Sequence, residues 1–172
     1  MAVLDELGYT TGSANAPQRV MQKVAASGPG SWVFQRTLYP IDKALFGLTG
    51  GRVTVPSLVA GLPVILLTTT GAKTGRSRTM PLAGVPMGED LAIIGSNYGQ
   101  RPTPGWVYNL EANPAATVAY RDRSVAVVAR PADDEEADRV FEQAADVYPG
   151  YNTYRDRAAH RTIRVFLLES SP

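Results

Sequence analysis

The amino-acid sequence predicts a mainly antiparallel β domain, a sheet or barrel, with flanking helices. Three observations lead there. From Gly61 onward the chain divides into short apolar segments of strand length. The joints between them carry turn residues suited to hairpins. Helical spacing is confined to residues before Phe46, to a short stretch around Trp106 and to the run after Asp133. With 172 residues, 44% hydrophobic and 19% charged, the chain is in the range of one folded core. At this size about two thirds or more of the unfolded surface is buried, so no disulfide or structural metal is required.

The elements are expected in this order. Residues 1–46 form an N-terminal arm and helices, and residues 47–172 form the β domain. Residues 1–16 are rich in Gly, Ser, Thr and Asn, so they are expected to be loose, either disordered or resting on a partner. Two helix-like pieces, Pro17 to Ala26 and Trp32 to Phe46, are separated by Gly28-Pro29-Gly30, and Pro40 interrupts the second. Their Trp32, Phe34, Leu38, Leu45 and Phe46 are expected to pack on the barrel, with peripheral contact to lipid headgroups as the alternative.

The strand candidates are Val64 to Thr70, Arg78 to Pro86, Leu91 to Ser96, Thr117 to Tyr120, Ser124 to Arg130 and Thr162 to Leu168. Between the third and fourth, Thr103 can cap a short helix that Pro104 suits and Asn113-Pro114 ends. After the fifth, Asp133 with Glu136 has the spacing of a capping box, and apolar residues recur at Ala137, Val140, Phe141, Ala144, Ala145 and Tyr148. The acids suit the positive end of that helix, which reads better than a metal site.

Composition narrows the chemistry. There is no cysteine and only one histidine, His160. Thiol nucleophiles, Cys-based zinc sites and multi-His metal sites are thereby excluded, and His160, in a polar run, reads as a surface residue. A net charge of +1 gives no general pull toward nucleic acid. The first residues have neither the basic region nor the apolar run of a signal peptide, so a cytoplasmic location is expected. No apolar run approaches the roughly 18 to 20 residues of a membrane span.

The even charge hides an asymmetry. Between Lys43 and Leu110 the acids are Glu89 and Asp90, against Lys43, Arg52, Lys73, Arg76, Arg78 and Arg101. Within that third, the apolar strand Leu66-Leu67-Thr68-Thr69-Thr70 runs into Gly71-Ala72-Lys73-Thr74-Gly75-Arg76-Ser77-Arg78. Glycines allow close backbone approach, lysine supplies a point charge and arginine a fork matched to phosphate or carboxylate. The stretch reads equally well as an anion site or as a hairpin turn whose charges discourage edge pairing. It is neither a Walker loop nor a Rossmann fingerprint.

Two further places stand out. Ile94-Gly95-Ser96-Asn97-Tyr98-Gly99 ends a strand in small and polar residues, leaving room for a ring or making an ordinary connection. Trp106 and Asn109, three apart on the short helix, suit core packing and a local hydrogen bond. Tyr148, Tyr151 and Tyr154 follow one another at three-residue intervals. Their phenols, protonated at neutral pH, can donate hydrogen bonds while the rings pack on a planar ligand, or they can simply cover the barrel rim.

The ordered set of Thr68-Thr69-Thr70-Gly71-Ala72-Lys73-Thr74-Gly75 with Arg78, Pro81-Leu82, Ser96, Trp106-Val107-Tyr108-Asn109-Leu110 with Asn113-Pro114, and Tyr148-Pro149-Gly150-Tyr151 resembles the deazaflavin-dependent nitroreductase family, the A-type flavin/deazaflavin oxidoreductases. The likeness runs from about Thr49 to Leu168 and is weaker in the N-terminal helices. It implies a split β-barrel, similar to FMN-binding split barrels, and a bound coenzyme F420, an 8-hydroxy-5-deazaflavin whose reduced ring donates a hydride. By this resemblance Ala72, Lys73 and Thr74 meet the phosphate or polyglutamate tail. Arg78, Thr79, Met80, Pro81, Leu82 and Ala83 run beneath it and along the ring. Ile94, Gly95, Ser96 and Asn97 line the cofactor, followed by Gly105, Trp106, Val107, Tyr108 and Asn109. Tyr148, Tyr151 and Tyr154 form the substrate side, with Tyr151 touching both ring and substrate. The implied substrate is a small planar acceptor: a quinone, an activated alkene such as an enone, or a nitroaromatic. Ala72 stands where a basic residue is frequent, and Ala83 where a larger one is common, which would weaken tail binding and widen the pocket. The alternatives are flavin mononucleotide in the same barrel, or a non-catalytic carrier of a deazaflavin or lipid. None of these features fixes the number of subunits.

Overall fold

The computed structural model describes residues 2–10, 63–148 and 150–171. The helices expected over Pro17 to Ala26 and Trp32 to Phe46 lie outside them. The described elements are α1 (Val3–Leu7), β1 (Val64–Thr70), β2 (Ser77–Ala83), β3 (Val85–Met87), β4 (Asp90–Ile94), a single 3-10 turn (Asn97–Gly99), α2 (Gly105–Ala112), β5 (Ala115–Tyr120), β6 (Arg123–Pro131), α3 (Asp134–Val147), α4 (Gly150–Arg157) and β7 (Val165–Ser170).

The strands form one seven-stranded sheet in the order β2-β1-β5-β6-β7-β4-β3, with every neighbouring pair antiparallel. Its two edge strands, β2 and β3, are consecutive in sequence and separated only by Gly84. The sheet must therefore curl until its edges meet at that residue, which makes it a split barrel. The single strand expected over Arg78 to Pro86 is thus two strands that pair at opposite ends of the sheet. Gly84 is where the chain changes partner, and it has no room for a side chain: a Cβ there would lie 2.9 Å from the Tyr9 hydroxyl and 3.0 Å from a Leu91 methyl. The Tyr9 hydroxyl donates to the Gly84 carbonyl at 2.7 Å and makes a longer contact to that of Pro63 at 3.3 Å.

Strand alternation builds two apolar clusters. Ile65 and Leu67, Leu91 and Ile93, Val118, Val125 and Val127, Phe166 and Leu168 face the barrel interior, closed by Trp106, Val107 and Leu110 of α2. The opposite faces of β4 and β7 carry Ala92, Ile94, Val165 and Leu167, which pack with Val140, Phe141 and Ala144 of α3 and with the three tyrosines. Both faces of β4 and β7 are covered over residues 91–94 and 165–168, so these stretches are continuously apolar instead of alternating, with Asp90 and Glu169-Ser170 at the ends of the two strands.

For residues 2–10 the expectation of a loose segment fails, and the rest of residues 1–16 lies outside the described residues. Val3 and Leu7, one helical turn apart, are fully buried in the barrel cluster with Leu4 against it. The helix stops at Gly8 in the left-handed conformation (φ 58°). Leu4 N–H donates to the Glu89 carbonyl, and an Arg123 N–H to that of Glu6. This helix is too short to stand alone and is held by the barrel it plugs.

The capping box of α3 forms as its spacing predicts, with Glu136 N–H donating to the Asp133 carboxylate at 2.8 Å and Asp133 N–H to that of Glu136 at 3.0 Å. In α2 the cap position is Pro104, with no side-chain bond, so Thr103 does not cap it. No helix among the described residues is long and apolar enough to cross a membrane.

Candidate functional site

The turn between β1 and β2 is tight and anchored. Gly71 N–H donates to the Arg76 carbonyl at 2.8 Å, and Thr74 and Gly75 N–H both donate to that of Gly71. A Cβ on Gly71 would come within 2.8 Å of the Thr74 hydroxyl and 3.1 Å of the Arg76 carbonyl, and Gly75 takes the left-handed φ of 63°. Both glycines are needed for the bend. Asn109 of α2 then ties the turn to the barrel: its carbonyl accepts from Ala72 N–H at 3.0 Å, and its amide donates to the buried Thr69 hydroxyl at 3.0 Å. Its hydrogen bonds thus reach across elements instead of staying local.

Ala72, Lys73, Thr74, Arg76 and Arg78 are all exposed. Among the described residues none of the three cations makes an ion pair, whereas the carboxylates of Glu135, Glu136, Asp138, Glu111 and Glu169 are taken by Arg139, Arg130, Arg155 and Arg164. Three neighbouring cations without carboxylates repel one another. A polyanionic group relieves that repulsion and suits their donors.

Along β2 the pleat divides the expected cofactor residues between two faces. Arg78, Met80 and Leu82 stand opposite Thr69, Leu67 and Ile65 and share the inward side, where Met80 and Leu82 pack on the barrel cluster. Thr79, Pro81 and Ala83 stand opposite Thr68, Leu66 and Val64 on the other side, with the Thr68 and Thr79 hydroxyls 2.8 Å apart. Successive strand residues alternate, so this run does not present one continuous wall.

Beyond β4, Ile94 packs under the tyrosines. Gly95 N–H donates to the Arg164 carbonyl at 2.8 Å, and a Cβ there would meet that oxygen at 3.1 Å and Val107 at 3.0 Å. Ser96 is buried, and Asn97, at a φ of 48°, donates from its side-chain amide to the Pro102 carbonyl at 2.9 Å. On α2, Trp106 and Val107 point into the core, the Trp106 ring meeting Phe166 edge-on at 6.0 Å. Gly105 and Tyr108 are exposed, Tyr108 at 54%.

Tyr148, Tyr151 and Tyr154 are each at most 7% exposed. Their rings form a closed triangle with centroids 5.9, 5.9 and 6.2 Å apart, and the Tyr148 and Tyr154 hydroxyls are 3.1 Å from each other. Burial, then the hydrogen bond with Tyr148, pushes the Tyr154 phenol far above the usual phenol range. Two other residues gave no signal of their own in the sequence. Burial raises Tyr9 in the same way, Tyr120 and Tyr151 adding to it, and its ring lies 4.8 Å from that of Tyr120. Arg161 donates to the carbonyls of Gly95, Ser96 and Gln100 at 3.0, 2.9 and 3.3 Å. Neither stands in a recognisable motif, and both act on backbone distant in sequence. His160 is exposed, its Nδ1 3.1 Å from the Arg157 carbonyl.

The curled sheet, its flanking helices and the anchored cationic turn define a split-barrel protein of the oxidoreductase type. The family model described as F420H(2)-dependent quinone reductase matches residues 43–170, and the chain belongs to that family of oxidoreductases. An F420H(2)-dependent quinone reductase of Mycobacterium tuberculosis (strain H37Rv) is 31% identical over 126 residues, covering 70% of this chain and 84% of its own. A solved F420-H2 dependent reductase (FDR-A) superposes with a TM-score of 0.57 at 35% identity, covering 62% of this chain and 94% of its own. A structure described as a domain-swapped dimer reaches a TM-score of 0.59 at 31% identity, covering 83% of this chain and all of its own.

Proposed function

We propose that this chain is an F420H2-dependent reductase acting on a planar, electron-poor small molecule, with quinones as the first class and enones and nitroaromatics as further ones. The observation that carries this reading is the cationic turn, unpaired among the described residues and fixed to the barrel by Asn109. The family match favours the deazaflavin over flavin mononucleotide. Once bound, the reduced deazaflavin supplies the hydride, for which the chain has no redox side chain of its own.

The residues of the chain bind, orient and exclude water. Lys73 and Arg78, with Ala72 and Thr74, would hold the anionic tail. Met80 and Leu82 would give an apolar floor on one side of β2, and Ser96, Asn97 and Tyr108 would border the ring. The tyrosine triangle would form the substrate wall, Tyr151 or Tyr148 donating a hydrogen bond to the acceptor oxygen. Burial makes the Tyr154 phenol a weaker acid than an ordinary one, and its hydroxyl, 3.1 Å from that of Tyr148, would position that group.

Two measurements test the reading. Fluorescence titration with F420 and, separately, with flavin mononucleotide should give micromolar or tighter binding of the first alone in dilute buffer. Mixing the protein with F420H2 and a panel of quinones, enones and nitroaromatics should reoxidise the cofactor, fastest with quinones. A protein that ignores F420 at micromolar concentration defeats the proposal, and binding without turnover on any acceptor would make it a carrier.

A further inference from the structure

Arg161 follows α4 in the turn before β7 and reaches back more than sixty residues to the connection after β4. Its Nε donates to the Gln100 carbonyl, and its Nη2 is shared between those of Gly95 and Ser96. Nη1 is buried and has no hydrogen-bond partner among the described residues. No carboxylate there pairs with this guanidinium either. Burial disfavours its charge, with Tyr108 acting in the opposite sense.

A guanidinium carries five donors and stays protonated, and three backbone carbonyls supply partial charge but no net anion. A buried donor left unpaired is costly, so its persistence here calls for an acceptor that the described residues do not provide. The segment it grips, Gly95 to Gln100, contains the residues that the proposed function sets against the cofactor ring.

We propose that Arg161 is a further cofactor-binding residue: it fixes the Gly95–Gln100 connection by its carbonyls and reserves one cationic donor for an acceptor oxygen of the bound ring. This rests on the deazaflavin reading. It divides the work between two charges, Lys73 serving the tail and Arg161 the ring. Placing a fixed cation beside an electron-rich ring system favours its anionic form and orients it before chemistry.

The test compares wild type, Arg161→Gln, Arg161→Lys and Lys73→Ala by fluorescence titration with F420 and with a deazaflavin riboside lacking the phosphate tail. The melting temperature of each free protein is recorded alongside. Arg161→Gln should raise Kd about tenfold or more for both ligands, the usual cost of losing a charge-assisted hydrogen bond. It should also lower the salt dependence of F420 binding. Lys73→Ala should weaken F420 alone. Arg161→Lys, which keeps the charge but cannot span three carbonyls, should fall between wild type and Arg161→Gln, and it carries the test if the glutamine variant does not fold.

Wild-type affinity for both ligands in Arg161→Gln, or in Arg161→Lys where that variant stands alone, overturns the proposal. So does a loss confined to tailed F420, which would make Arg161 a tail cation. A lower melting temperature with an unchanged salt slope would reduce it to a structural part. If wild type binds neither ligand, the cofactor reading falls and this inference with it, an outcome distinct from wild-type binding that Arg161→Gln leaves intact.

Discussion

The tyrosine triangle under α3 and the cationic turn after β1 differ in where their polar groups find partners. Around the triangle the partners are internal. Two of the phenols meet each other, and on the nearby surface Arg155 is paired with Asp138 while lying over the Phe141 ring at 4.9 Å. In the turn the N–H groups of Gly71, Thr74 and Gly75 bond within the turn and that of Ala72 to Asn109, but the charged ends of Lys73, Arg76 and Arg78 stay outside every ion pair among the described residues. One region spends its polar groups on stability, and the other holds them in reserve for a ligand. Substitutions that remove a ring from the first should therefore change folding, and those that remove a charge from the second should change binding.

The largest effect is expected at one corner of the triangle. Tyr154→Ala empties a buried aromatic site and should lower the unfolding free energy by about 3 to 5 kcal/mol, read from urea denaturation. A loss under about 1 kcal/mol would mean that the triangle is not a packed core. Tyr151→Phe keeps the ring and removes only the hydroxyl. It should leave stability nearly unchanged and lower turnover on the order of a hundredfold, with cofactor affinity held. Equal losses in turnover and affinity would contradict the role given to Tyr151 and return it to pure packing.

Across the molecule the pattern should reverse. Lys73→Ala should raise the Kd for F420 about tenfold at low salt, a penalty that shrinks as salt is added, with the melting temperature unmoved. Asn109→Ala should have a smaller effect of mixed kind. The side chain is engaged by the turn, and its loss frees Ala72 and Thr69 from their partners at about 1 kcal/mol each and loosens the turn. Affinity should fall a few-fold and stability by a similar modest amount. Unchanged affinity would show that the turn keeps its shape without α2.

How much of this was legible in the sequence follows from the range of each interaction. A short apolar run of strand length ahead of turn residues specified β1 as Val64–Thr70 to the residue, and the Asp133/Glu136 spacing specified the start of α3. Both are local. Gly84 read as the middle of one strand because its reason for being glycine lies with Tyr9, seventy-five residues away, and with Leu91 across the barrel seam. The Val3–Leu7 helix looked loose because five residues show too little periodicity, and its partners are on β4, β6 and β7. Arg161 carried no motif, since its acceptors are backbone carbonyls that no residue type announces. At the site, the exposed turn was legible because charge and glycine are compositional signals. The division of β2 between two faces needed the register.

The smallest effect tests the internally paired side from its surface. Glu136 accepts two hydrogen bonds from Arg130 at 2.8 Å and one from Asp133 N–H at 3.0 Å. Arg130, then the Asp133 backbone, holds its pKa down from 4.5 to about 2. A carboxylate with a folded pKa below its unfolded one adds stability at pH values above the unfolded pKa, and that stability is lost as acid protonates the folded form. The melting temperature of wild type should therefore exceed that of Glu136→Gln by a constant margin above about pH 5. The margin should close between pH 4.5 and about 2. The bridge lies at the surface, with Arg130 exposed and Glu136 partly covered, so the margin should be small and shrink with added salt. A gap that persists unchanged down to pH 2 would mean that the bridge contributes through shape and not through charge, and would leave the capping box as the sole work of Glu136.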